Sequence, residues 1–134
     1  MKPKKKKLGV KTLKKNLWRL FSKFTRARDG YVCITCGKDM KEDKSSCHAG
    51  HYFPRTQGNA LFFDERNVHA QCTSCNSFKS GNLAIYALKL EELYGVGILQ
   101  KLDRIRQTVK KFTAPELEDM IKDYTQRLKD MGVL

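Results

Sequence analysis

Acid is missing where the chain is most basic. Residues 1–28 hold twelve of the 27 Lys and Arg and no Asp or Glu, which leaves fifteen basic against fourteen acidic side chains in the other 106 residues. Twelve of the thirteen net positive charges therefore reside in one arm. Such a segment cannot collapse on itself, but it can neutralise phosphates and release their counterions, which points to a polyanion as partner. Long apolar runs are also missing. No stretch approaches a membrane span, and the N-terminus lacks the apolar segment of a signal peptide, so no membrane partner is expected and the expected setting is cytoplasmic. Cysteine is sparse and odd in number. Five cysteines in a reducing compartment are better explained as one four-thiolate metal site and a spare than as disulfides.

What is present fits that account. Cys33-Ile34-Thr35-Cys36-Gly37 and Cys72-Thr73-Ser74-Cys75 are two Cys-x-x-Cys turns, each able to offer two thiolates at tetrahedral angles to one structural Zn²⁺, and Cys47 is the spare. A pairing of Cys47 and His51 with Cys33 and Cys36 would leave the well-spaced second turn idle. Before the first turn, residues 1–10 read as a disordered basic arm, with Lys4, Lys5, Lys6 and Lys7 as its charges. Leu13, Leu17, Leu20, Phe21 and Phe24 then recur at helical spacing and predict an amphipathic helix over 11–29, whose polar side carries Lys11, Lys14, Lys15, Arg19, Arg26 and Arg28; Trp18 reads as an anchoring residue beside the stripe. Short strands are expected around Tyr31-Val32-Cys33, from Cys47 towards Pro54, and over Val68 to Gln71. Alternation along the last puts Asn67, His69 and Gln71 on one face, a polar set that suggests a site. Helical patterns follow over Leu83 to Tyr94 and Ile98 to Val109. Thr113-Ala114-Pro115-Glu116 then opens a last helix with a capping Thr, a first-turn Pro and a Glu at the capping-box position. The C-terminal helices carry no catalytic constellation.

The order Cys-x-x-Cys, Gly50-His51, Asn67, then Cys72-x-x-Cys75-Asn76-x-x-Lys79 resembles the HNH nucleases. Ala49-Gly50-His51-Tyr52, Leu61 to His69, Gln71-Cys72, Cys75-Asn76 and Lys79-Ser80-Gly81-Asn82-Leu83 are similar, more narrowly, to the phage NinG/Rap recombination proteins, from about Cys33 to the C-terminus. The resemblance implies an α+β fold: a small zinc-stapled ββα-metal (HNH) module over 30–95, flanked by the N-terminal basic helix and by a helical extension over 96–134. It implies a structure-specific DNA endonuclease acting on branched recombination intermediates such as D-loops and Holliday junctions, in the host cytoplasm, with other phage recombination proteins as partners. His51 would activate water, Asn67 would be the middle Asn, and Asn76 would hold a catalytic Mg²⁺ or Mn²⁺.

These residue types suit the reaction. Phosphodiester hydrolysis needs a water stripped of its proton, in-line approach and a stabilised leaving 3′ oxygen. A neutral imidazole at His51 can take the proton near pH 7, Asn67 could orient the ring, and a hard cation held by Asn76, waters and phosphate would act as Lewis acid. The sequence departs from the HNH pattern at Gly50, where many members carry a metal-binding Asp or His. His48, His69 or Asp64 could substitute, and His69 is favoured because alternation sets it beside Asn67. Arg55 and Lys79 flank the site and suit phosphate contact. Competing readings are a noncatalytic zinc module that binds DNA and a restriction- or homing-type enzyme cutting unbranched duplex. Cutting both strands of a symmetric junction would call for a homodimer. Deleting residues 2–15 is expected to weaken DNA binding and flatten its salt dependence; an unchanged slope of log affinity against log salt would remove the arm from the interface.

Overall fold

The computed structural model describes residues 7–134, so Lys4, Lys5, Lys6 and most of the expected disordered arm lie outside the described residues. Helix α1 spans Val10–Arg28, strands β1 and β2 span Cys47–His51 and Val68–Cys72, and helices α2, α3 and α4 span Leu83–Tyr94, Ile98–Arg106 and Ala114–Asp130. The fold is mixed: helices and, among the described residues, one two-stranded antiparallel sheet. Among the described residues no helix is long and apolar enough to cross a membrane.

The chain divides into two compact units, Ser22–Lys110 and Met1–Phe21 with Lys111–Leu134. In the latter, the leucine stripe of α1 supplies Leu13, Leu17, Leu20 and Phe21, and α4 supplies Leu117, Tyr124 and Leu128, all buried. Phe21 meets Tyr124 edge-on with centroids 5.2 Å apart, and Trp18 lies half-buried against Phe21, an anchor as its position beside the stripe suggests. α4 begins where Thr113 predicts, the hydroxyl accepting the Glu116 N–H at 3.3 Å.

The unit Ser22–Lys110 is built on the hairpin. Cys47 pairs with Cys72, His48 with Gln71, Ala49 with Ala70, Gly50 with His69 and His51 with Val68. Every residue of β2 is buried, so neither face is left to water. On one face Ala70 packs among Cys33, Met40, Cys47, Cys72 and Cys75. Beyond the other lies a cluster of Leu61, Tyr86, Leu90, Ile98 and Leu102. The strand expected around Val32 shrinks to one bridge between Val32 and Asp39, because Ile34 turns away to donate to Ala70 O at 2.9 Å. The third helical pattern ends at Arg106, short of Val109, which is fully exposed.

Two polar ties hold this unit together. At the end of α1, Arg28 pairs with Asp29 at 2.8 Å and donates to Glu65 O and Val68 O, while Asp29 accepts the Ala70 N–H at 2.7 Å. Arg28, expected to contact DNA, is thus engaged in fixing β2 to α1. The second tie is buried. Tyr86 donates to Gly50 O at 2.7 Å, which obliges His69 Nδ1–H to donate to the Tyr86 oxygen at 3.1 Å and leaves His69 Nε2 to accept from Tyr94 at 2.8 Å. Burial brings the His69 pKa down to about 4. An unfolded His69 takes up a proton below about 6.5, and the folded one only near 4, so its contribution to stability is present above that unfolded value and is lost as pH falls through the window between them. The expected NMR observation is a His69 ring still neutral and Nδ1-protonated at pH 5.5; an imidazolium there would contradict the tie.

Candidate metal and nuclease site

The two Cys-x-x-Cys turns meet. The sulfurs of Cys33, Cys36, Cys72 and Cys75 all lie within 4.8 Å of one another, and Cys36 and Cys72 are 3.7 Å apart. Thiolates around one Zn²⁺ at ~2.3 Å stand about 3.8 Å apart, so this spacing suits a tetrahedral ion. Local chain geometry makes the first turn: Gly37 adopts φ +78°, and its N–H returns to Cys33 O at 2.9 Å. The second turn continues β2 directly into one π-helical turn over Ser74–Phe78, with the Cys75 N–H aimed at Cys72 Sγ. Thr35 Oγ1 lies 3.3 Å from Cys33 Sγ, and the Asn82 amide donates to Cys75 Sγ at 3.7 Å.

Without a cation this cluster cannot ionise evenly. Burial opposes the Cys33 thiolate, but the Thr35 hydroxyl and backbone N–H groups outweigh it and bring the thiol down to about 6. Desolvation of its sulfur, with Cys33 and Cys72 alongside, pushes Cys36 up to about 12. A divalent ion that accepts four thiolates removes that conflict, and soft sulfur donors select zinc. Cys47 is buried outside the four, its thiol raised by burial, and no cysteine is in a disulfide.

The other expected residues collect around β1, in two places. His48 and Asn76 meet: the Asn76 amide donates to His48 Nδ1 at 3.0 Å, and His48 Nε2 faces Thr73 Oγ1 at 3.3 Å. Gly50 lies between them and α2. A Cβ at Gly50 would stand 2.9 Å from Asn76 Oδ1 and would collide with Gln71 Oε1, which occupies the volume of the absent side chain. Gln71 was expected only as a member of a polar face. Its amide nitrogen donates to Gly81 O at 2.8 Å and reaches Thr35 Oγ1 at 3.2 Å, so its orientation is fixed, and its oxygen is buried with no hydrogen-bond partner. A Cα–H contact from Gly50 offers such an oxygen about 0.5–1 kcal/mol, less than the roughly 1–3 kcal/mol that an unsatisfied buried acceptor costs. Two amide oxygens, Gln71 Oε1 and Asn76 Oδ1, thus crowd the Gly50 Cβ position, and oxygen is the donor type that a hard divalent cation takes.

His51 is the next residue. Its Nε2 lies 3.0 Å from Phe62 O and its ring stacks on Phe62 at 4.7 Å. A carbonyl only accepts, so Nε2 carries the proton and the neutral ring keeps its lone pair on Nδ1. Burial lowers the His51 pKa from its ordinary value, and nearby Arg55 adds to this. Arg55 reaches over the same Phe62 ring, 5.9 Å from its centroid.

Three expectations change. Asn67 does not touch the His51 ring: its amide accepts the Phe53 N–H at 2.9 Å and donates to Phe53 O and Leu61 O, so it orders the loop that carries Phe62. His69 is not beside Asn76 as a ligand, since both its nitrogens are held by tyrosines. Asp64 is engaged with Arg66 at 2.7 Å. Lys79 is exposed at the end of the π-helical turn, as are Lys7, Lys11, Lys15 and Arg19, while Lys14 is half-buried over Phe112 and Arg26 bonds back to Ser22 O.

A family model described as "NinG: Bacteriophage Lambda NinG protein" matches residues 1–132. Among curated proteins, "Protein ninG" of Salmonella phage P22 is 36% identical over 109 residues, covering 81% of this chain and 52% of that protein. The proteins of the same name from Escherichia phage 933W and Escherichia phage lambda are 35% and 34% identical over the same shares. The chain spans about half the length of the curated relatives it matches. No solved structure matches. Removing metal with a chelator is expected to unfold the hairpin region, and Co²⁺ in its place is expected to give intense thiolate charge-transfer absorption; native near-UV dichroism in metal-free protein would contradict the clamp.

Proposed function

The chain belongs to the NinG family of phage proteins, and from that premise we propose that it is a zinc-stabilised, divalent-metal-dependent DNA endonuclease of the HNH type acting on branched DNA. One observation carries the proposal. The sulfur cluster turns the chain so that Asn76 lies against β1 at Gly50, and the residue after Gly50 is a half-buried histidine whose proton position is fixed by a carbonyl.

In this reading His51 Nδ1 takes the proton from a water that attacks phosphorus in line, and the bond to the 3′ oxygen breaks as that oxygen leaves. Lowering of the His51 pKa by burial keeps the ring neutral through pH 7, the state a base needs. Phe62 O and the ring of Phe62 hold the imidazole, and Asn67 holds Phe62 in turn through Leu61 O. Asn76 Oδ1 would hold a Mg²⁺ or Mn²⁺ ion, with His48 Nδ1 orienting the Asn76 amide, and that ion when bound supplies Lewis-acid stabilisation of the scissile phosphate. Arg55 stands close enough to His51 to bind a neighbouring phosphate. Lys11, Lys15, Arg19 and the arm lysines would grip backbone without reading bases, so branch geometry would set the substrate.

His51→Ala is expected to lower nicking of labelled four-way junctions and D-loops by about 10²–10⁴-fold while leaving DNA binding intact. For the wild type, the rate should rise with pH only below the ordinary imidazole value and then level off. Equal nicking by the variant would remove His51 as the base. Intact DNA in Mg²⁺ and Mn²⁺ with the wild type would leave a noncatalytic zinc module, and discrete cuts in plain duplex would indicate a restriction- or homing-type enzyme.

A further inference from the structure

The unpartnered oxygen of Gln71 remains unused by that scheme. We propose that Gln71 Oε1 is a ligand of the divalent cation, filling the coordination position that a side chain at residue 50 would otherwise supply; the inference rests on the nuclease reading.

The donors are connected by geometry. Gln71 is the cross-strand partner of His48, so the two residues share one face of the hairpin. Asn76 donates to His48 Nδ1 at 3.0 Å, and its oxygen stands 2.9 Å from the Cβ position of Gly50 into which Gln71 Oε1 intrudes. Gln71 cannot rotate to exchange oxygen for nitrogen, because Gly81 O accepts from its amide and could not face an oxygen. The oxygen is therefore held in place, wholly buried, with the Asn76 amide oxygen near the same Gly50 Cβ position. Two carbonyl-type oxygens crowd the one Gly50 Cβ position with only the Gly50 Cα–H to face them, and a small hard cation takes such ligands. Gly50 follows from the same geometry: a Cβ there would displace the Gln71 oxygen, so residue 50 and residue 71 compete for one volume. His69 remains excluded by its two tyrosines.

Zinc-loaded protein titrated with Mn²⁺, with free Mn²⁺ read by electron paramagnetic resonance, tests this without reference to cleavage. Wild type should take up one Mn²⁺, and Gln71→Met, which keeps the volume but loses the oxygen, should bind it about tenfold or more weakly. The cobalt–thiolate spectrum of each protein checks that the clamp has formed. Gly50→Asp combined with Gln71→Ala should regain Mn²⁺ affinity over Gln71→Ala alone, because the shortened residue 71 makes room for a carboxylate. This arm still decides if Gln71→Met fails to fold. Wild-type affinity in Gln71→Met, or no gain in the double variant, would overturn the assignment and leave the nuclease reading to the His51 experiment. A wild type that takes up no Mn²⁺ would overturn the assignment and the cation-dependent reading together.

Discussion

Four sulfurs drawn to within bonding range of one ion set everything else in the hairpin unit. Cys72 is at once the last residue of β2, the cross-strand partner of Cys47 and a member of the sulfur cluster. Closing the cluster therefore fixes where β2 ends and forces the chain into a wide turn, and that turn is what carries Asn76 back over β1. A regular α-helical turn after Cys75 would send residue 76 in a different direction. A unit of 89 residues with so few large apolar side chains in each cluster has little hydrophobic burial to rely on, so a metal-bonded staple is the physically sensible source of its order.

The hairpin is unusual in having both faces covered. On the cysteine side the cover is apolar and sulfur-rich, and on the other it is a run of polar contacts: Tyr94 to His69, His69 to Tyr86, Tyr86 to Gly50. Buried polar groups are tolerated only when partnered, and these satisfy one another. Against that background the Gln71 oxygen is conspicuous. Thr25 Oγ1 is the other buried side-chain atom without a partner among the described residues.

Histidine divides by environment in a way that composition cannot show. His69 is sealed between tyrosines and serves stability, His48 meets an amide at the edge of the sheet, and His51 lies on an aromatic ring beside an arginine. His51 combines a proton fixed by a carbonyl and a lowered pKa with an arginine over the ring on which it stacks, the combination expected of a base that works on a phosphate.

Cysteine spacing, the leucine periodicity of α1 and the Thr113 cap of α4 were legible in the sequence because each is a local pattern: the partners lie within one turn or one repeat, and geometry at short range leaves few choices. Alternation likewise put His69 and Gln71 on one face. What alternation could not say was what covers that face, and so it favoured His69 as a metal ligand, while the resemblance and the reaction chemistry put Asn67 on the His51 ring. Tertiary structure decided otherwise, since Tyr86 and Tyr94 arrive from seventeen and twenty-five residues downstream and Phe53 and Leu61 from within a long loop. Arg28, basic by composition and placed on a polar helix face by periodicity, was claimed by carbonyls nearly forty residues away. Sequence thus determined the elements and the donor chemistry; the packing of distant segments determined which donors are already satisfied and which oxygen still lacks a partner.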